Sequence, residues 1–255
     1  PVTFTEGQFK GRTIRAELVE LQKADLGRKY ARKDRRPLDP PPVVQLKLYD
    51  ILRPGTAYEE HKEFESYDDI GGFGVLCHID LFQVSPHEEQ STDPSEGPNK
   101  RRRKSHSRTR PGSSATAPLS TPTSASSTPT PSAASPSFSY ASQTVSPAYA
   151  EGVLAYLNGT EIRESNKCTE ALSGATIAQS QSVEYMGRKV LMFVFSDIAV
   201  RNEGTFILRY RVFNIFGKVH GKAEIPVLAE CYGGPFRIYS TKEFPGLRPS
   251  TDLTK

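Results

Sequence analysis

Phe206-Ile-Leu-Arg-Tyr-Arg-Val-Phe-Asn214 is the stretch whose reading decides the fold. Phe206, Leu208, Tyr210 and Val212 occupy every second position, with Arg209 and Arg211 between them. Successive side chains of an extended strand point to opposite faces, so this spacing predicts a strand with one apolar and one charged face. The same period recurs in Ile14, Ala16 and Leu18, in Val44, Leu46 and Leu48, and in Val75, Cys77, Ile79 and Leu81. Val190–Val194 is a continuous apolar run, and Ile225–Tyr232 and Phe236–Tyr239 complete the series. Turn signals such as Asn158-Gly159 and Gly233-Gly234-Pro235 separate these segments. Seven or eight short strands without strong helical periodicity predict a mainly all-β antiparallel sandwich or barrel.

Between the two groups of strands the composition changes. Pro111–Ala150 carries no charged residue, and 33 of its 40 positions are Ser, Thr, Pro or Ala. Such a segment has too little apolar surface to offset backbone ordering, about 1–2 kcal/mol per residue. Residues 85–150, including a basic run, are therefore read as a disordered insertion, open to proline-directed phosphorylation at pairs such as Ser85-Pro86 and Thr121-Pro122. Neither flank has enough strands to bury both sides of a sandwich alone. The simplest arrangement is one β domain, with an N-terminal part at 13–84 and a C-terminal part at 151–253. Loop-closure entropy permits this because its cost grows only logarithmically with loop length. Two small separate domains are the alternative.

The formal net charge of +4 conceals blocks of opposite sign. Lys100–Arg110 holds seven basic and no acidic residues, Lys10–Arg36 ten basic and four acidic, and Pro37–Pro98 three basic and thirteen acidic. Partner arguments therefore belong to blocks. An acidic block folded beside a basic one would repel duplex DNA and restrict which face docks. No apolar run approaches the roughly 20 residues of a membrane helix, which argues against a membrane partner, and no secretory signal is visible. The start at Pro1, without Met, predicts an upstream segment. Cys77, Cys168 and Cys231 are too dispersed for a disulfide framework or a zinc site and suit a reducing compartment.

Enzyme chemistry finds little support. Neither a phosphate-binding loop of the G-x-x-x-x-G-K-[ST] type nor a G-x-S-x-G nucleophile elbow is present. Cys77 and His78 are read as a buried thiol and an exposed imidazole on opposite strand faces. Glu59, Glu60, Glu63 and Glu65 are read as a solvated acidic segment, and Gly71-Gly72-Phe73-Gly74 as a turn. No metal site and no cofactor is predicted.

The most informative polar segment is Arg28-Lys-Tyr-Ala-Arg-Lys-Asp-Arg-Arg-Pro-Leu-Asp-Pro-Pro-Pro-Val-Val-Gln-Leu46. Six basic side chains, Arg28, Lys29, Arg32, Lys33, Arg35 and Arg36, run into Pro40-Pro41-Pro42, whose fixed φ sets the approach to a strand at Val43. A positive loop stiffly mounted on a sandwich edge suits phosphate contact, and arginine can read guanine edges bidentately. The alternative is a solvated loop that improves solubility. Asp34 interrupts the run, where it either orients an arginine or weakens phosphate attraction.

This segment resembles the N-terminal motif of the fungal velvet family of regulators, and within that family the VelC type. Phe193–Ile215 is similar to its central strand pair and Val227–Leu247 to its C-terminal motif. The resemblance implies an immunoglobulin-like fold akin to Rel-type DNA-binding domains. It also implies homo- or heterodimers with other velvet proteins, and control of sporulation, sexual development and secondary metabolism. Family members usually continue past the position of Lys255 into a further helical element. DNA contact in the family is placed on the basic motif, which nominates Lys29, Arg32, Lys33, Arg35 and Arg36 for promoter DNA. In that context Lys100, Arg101, Arg102, Arg103 and Lys104 become a candidate signal for a nuclear import receptor, and so for location in the nucleus; non-specific phosphate binding is their other use. The competing functional reading is an interaction subunit that pairs with other velvet proteins without touching DNA. Phe206, Leu208, Tyr210 and Val212 suit core or dimer interface, and core is preferred.

Overall fold

The computed structural model describes residues 1–84 and 152–254, apart from Lys33, Ser66, Asp68, Asp69, Gly71 and Asn158. The disorder, phosphorylation and nuclear-import expectations for 85–150 thus lie outside the described residues. The described chain folds as two packed antiparallel sheets, the layer arrangement of an immunoglobulin-like sandwich. The first sheet runs Val2–Thr3, Thr13–Gln22, Val43–Leu52, Arg188–Val194 and Gln181–Tyr185, with Glu60–Glu63 beside the far end of Val43–Leu52. The second runs Ile177–Gln179, Val75–Val84, Gly204–Asn214, Phe236–Tyr239 and Leu26–Arg28, with Ala229–Tyr232 also on Gly204–Asn214. Both sheets contain strands from before and after the 85–151 segment, so the two flanks build one sandwich.

The alternating positions converge as the period requires. Phe206, Leu208, Tyr210 and Val212 pack with Cys77, Ile79 and Leu81 of the neighbouring strand and with Ile14, Leu18, Val44, Leu46 and Leu48 of the facing sheet. They are core. Leu191 and Phe193 join them, whereas Val190 and Met192 form a separate cluster with Val43 on the opposite face. Burial on both faces explains why that strand reads as a continuous apolar run. Tyr210 sends its hydroxyl across the sandwich to Glu20 at 3.0 Å, and the Gly234 N–H donates to the same carboxylate at 2.8 Å. A Cβ on Gly233 would lie 2.3 Å from Glu20 Oε1, so the glycine pair also provides room for this cross-sheet bond.

Three expectations need correction. The Ile225–Tyr232 segment is a strand only over Ala229–Tyr232, because Pro226 cannot donate to a ladder and Ile225 and Val227 stay exposed. The acidic Glu60–Glu63 segment is an edge strand paired with Tyr49–Leu52; its charges keep an open sheet edge from pairing with other chains. The charged face of Gly204–Asn214 is not solvated. The Val153–Leu157 and Thr160–Arg163 hairpin brings Ile162 onto Phe82 and Ile207, a second small core on the outer side of the sheet.

Candidate nucleic-acid interface

The basic segment is fixed at its root, its middle and its tip. At the root, Leu26 and Asp39 exchange backbone hydrogen bonds of 3.0 and 2.9 Å. Leu26–Arg28 lies parallel to Phe236–Tyr239. In the middle, the Lys29, Tyr30 and Leu38 N–H groups donate to the carbonyls of Tyr239, Val200 and Ile198 at 2.9, 2.8 and 2.7 Å. At the tip, Ala31 and Asp34 exchange two bonds of 2.9 Å, closing a tight turn. The Val43–Leu52 strand begins directly after Pro42, as the proline run predicts.

Gly27 makes this mounting possible. A Cβ there would sit 2.7 Å from Ile238 Cδ1 and 2.8 Å from Leu38 Cδ2, and both side chains are buried. Gly27→Val is therefore expected to cost about 1–3 kcal/mol by overpacking. Urea denaturation measures that cost, and faster amide exchange at Tyr30 and Leu38 would show the loop lifting from its seat.

Arg32, Arg35 and Arg36 are exposed at the tip. Arg32 and Arg35 have no ion-pair partner among the described residues. Asp34 forms an ion pair with Arg28 and reaches Arg36 Nε at 3.5 Å, which answers the ambiguity left by the sequence: it orients arginines. Lys29 Nζ lies 3.2 Å from Glu203 Oε1 in an exposed pair, worth at most about 1 kcal/mol and so open to competition by phosphate. Lys33 and Lys100–Lys104 lie outside the described residues, so four of the five nominated loop residues are placed, all on one loop. Sequence reading missed Arg201, whose guanidinium lies 6.0 Å from the centre of the Tyr30 ring, and Arg248, which reaches Asp25 at 3.1 Å at the loop root. The Tyr30–Val200 backbone bond, a contact between distant segments, brings Arg201 there.

Long-range charge is arranged along the sandwich. The ten-residue Val43–Leu52 strand starts at the loop and ends at the acidic Glu60–Glu63 edge, about 30 Å away at strand rise. The acidic strand therefore does not flank the loop; the ends of the sandwich differ in sign. Val84, Thr205, Arg237 and Leu26 lie in one cross-strand row. The point where the 85–151 segment leaves is thus about 14 Å from the loop root.

A family model described as Velvet factor matches residues 16–255, covering the loop and both sheets. The chain belongs to the velvet family. It is 48% identical over 255 residues to a probable velvet family sexual development regulator of Laccaria bicolor, spanning 100% of this chain and 70% of that protein. A probable velvet family sexual development regulator of Schizophyllum commune is 43% identical over 255 residues, 100% of this chain and 73% of the relative. A velvet complex subunit of Gibberella moniliformis is 37% identical over 94 residues, 34% of this chain and 21% of the relative.

This velvet sandwich also holds a buried charge cluster that the sequence did not reveal. Strand register sets Arg209 opposite Asp80 and Arg211 opposite His78. Asp80 accepts from Arg209 Nη2 at 2.8 Å and pairs with Arg211 at 2.8 Å and Lys167 at 3.1 Å. Burial alone would raise the Asp80 pKa, but the hydrogen bonds and charges of Arg209, Lys167 and Arg211 outweigh it and hold the carboxyl down at about 2. His78 is half-buried beside Asp80, not exposed, and desolvation lowers its pKa. Burial pushes the Cys77 thiol up to about 12, so it is no thiolate at neutral pH. Among the described residues no group of His, Cys, Asp and Glu is placed to hold a metal, and no helix is long and apolar enough to cross a membrane.

Proposed function

We propose that this velvet chain is a non-enzymatic transcriptional regulator that binds promoter DNA as a homo- or heterodimer with another velvet protein. It acts in the nucleus on fungal sexual development, sporulation and secondary metabolism. The names of the Laccaria and Schizophyllum relatives support the developmental role, and that of the Gibberella relative supports association with velvet partners. One observation carries the DNA reading: an arginine-bearing turn, closed by its own backbone bonds and fixed to two other segments, displays Arg32, Arg35 and Arg36 at the positive end of the sandwich. Phosphates would position this turn, and arginine forks would read base edges.

Selection from a randomised duplex pool tests the reading, with the chain alone and with a velvet partner. Enrichment of one sequence is expected in both cases. Enrichment by the pair only would favour the interaction-subunit reading. That reading has its own support, since Arg28, Lys29 and Arg36 already face carboxylates, leaving less charge for phosphate.

A further inference from the structure

Asp34 is the single acidic residue between Arg28 and Arg36. By Coulomb's law alone, a carboxylate inside a phosphate-seeking loop weakens it. Its geometry gives it another use. The backbone of Asp34 closes the turn onto Ala31, and its carboxylate, only 19% exposed, lies between two arginines. Arg28 belongs to the strand beside Phe236–Tyr239, so that ion pair ties the turn to the sheet. On the other side Asp34 faces Arg36 through Nε, at 3.5 Å, while the Arg36 side chain remains 54% exposed. A guanidinium held at Nε keeps its two terminal nitrogens for a second acceptor, the edge used in bidentate recognition.

Resting on the DNA-binding reading above, we infer that Asp34 is a positioning residue that sets Arg36 and the Ala31–Asp34 turn for sequence-specific contact, giving up non-specific affinity in exchange. Simple charge dilution predicts something different. Removing a negative charge would then tighten binding to every duplex alike.

The test uses Asp34→Asn in the full chain, with two probes: the duplex enriched by the wild-type chain and a shuffled duplex of the same composition. Affinity for the enriched duplex is expected to fall about tenfold while that for the shuffled duplex rises. Asp34→Glu keeps the charge but alters the reach, so it should weaken the enriched duplex and leave the shuffled one unchanged. Thermal unfolding of both variants should match wild type, separating positioning from loss of fold; if Asp34→Asn unfolds early, Asp34→Glu decides. A parallel change in the two affinities, or none, overturns the inference. An Arg32→Ala/Arg35→Ala variant distinguishes failure of the DNA-binding reading from failure of the positioning role. If it binds the enriched duplex like wild type, the loop assignment itself is wrong. If it fails while Asp34→Asn shifts both probes together, only the positioning role is lost.

Discussion

Asp80→Asn is expected to lower the unfolding free energy by about 3–5 kcal/mol, the range for removing one partner of a buried ion pair. Asp80 is 1% exposed and Arg209 6%, so neither can turn to water. Asparagine keeps the shape and can accept a bond, but it leaves the buried guanidinium without its counter-charge. The cluster also joins the sheet to the segment that covers it, because Lys167 Nζ and the Thr169 hydroxyl both bond Asp80 Oδ1. Urea denaturation measures the loss. A change below about 1 kcal/mol would mean that the cluster behaves as a surface pair. Asp80→Leu/Arg209→Leu should recover much of the stability, since apolar residues in facing register would extend the Phe82–Ile207 core.

Acid sensitivity follows from the same geometry. A carboxyl depressed to about 2 from an ordinary 3.8 favours the folded state fully above the ordinary value, and that contribution is lost as pH falls through about 2. It amounts to about 2 kcal/mol. Urea midpoints at successively lower pH should therefore converge between wild type and Asp80→Asn.

Replacing Arg32, Lys33, Arg35 and Arg36 together by Ala should abolish specific binding of promoter DNA, a loss on the order of 10³-fold or more at moderate salt. Four lost phosphate contacts would also flatten the plot of log affinity against log salt by about 3.6. The fold should be spared, because Arg32, Arg35 and Arg36 are exposed and the loop is fixed by backbone bonds and by Leu38. Association with a velvet partner should likewise persist. Gel shifts over a salt series, with thermal unfolding as control, decide the matter. Equal DNA binding by the quadruple variant would remove the loop from the interface.

Much of this was legible in the sequence because strand faces have a strict period. Phe206, Leu208, Tyr210 and Val212 read as core without any partner being known. The loop was legible too, since its charges and prolines are contiguous. The environment of the other face was not. Period two says that Arg209 and Asp80 leave the core side, but not that Ile162 arrives from a later hairpin to cover that side. Nor does spacing reveal that Arg201 approaches Tyr30, a contact made by chain reversal between segments far apart in sequence. The acidic block was visible as composition, and only the direction of Val43–Leu52 put it at the opposite end from the loop. Short edge strands such as Glu60–Glu63 carry no apolar alternation and therefore gave no signal.

The central claim is that the basic turn is the DNA-facing surface of this velvet sandwich. Amide hydrogen exchange of the chain with and without its selected duplex tests it most directly. Protection is expected over residues 28–36 and in the Ile198–Glu203 segment against which the loop is fixed, with the Glu60–Glu63 edge unchanged. Protection confined to the acidic end or to the Gln181–Tyr185 edge, with the turn exchanging as in the free chain, would contradict it.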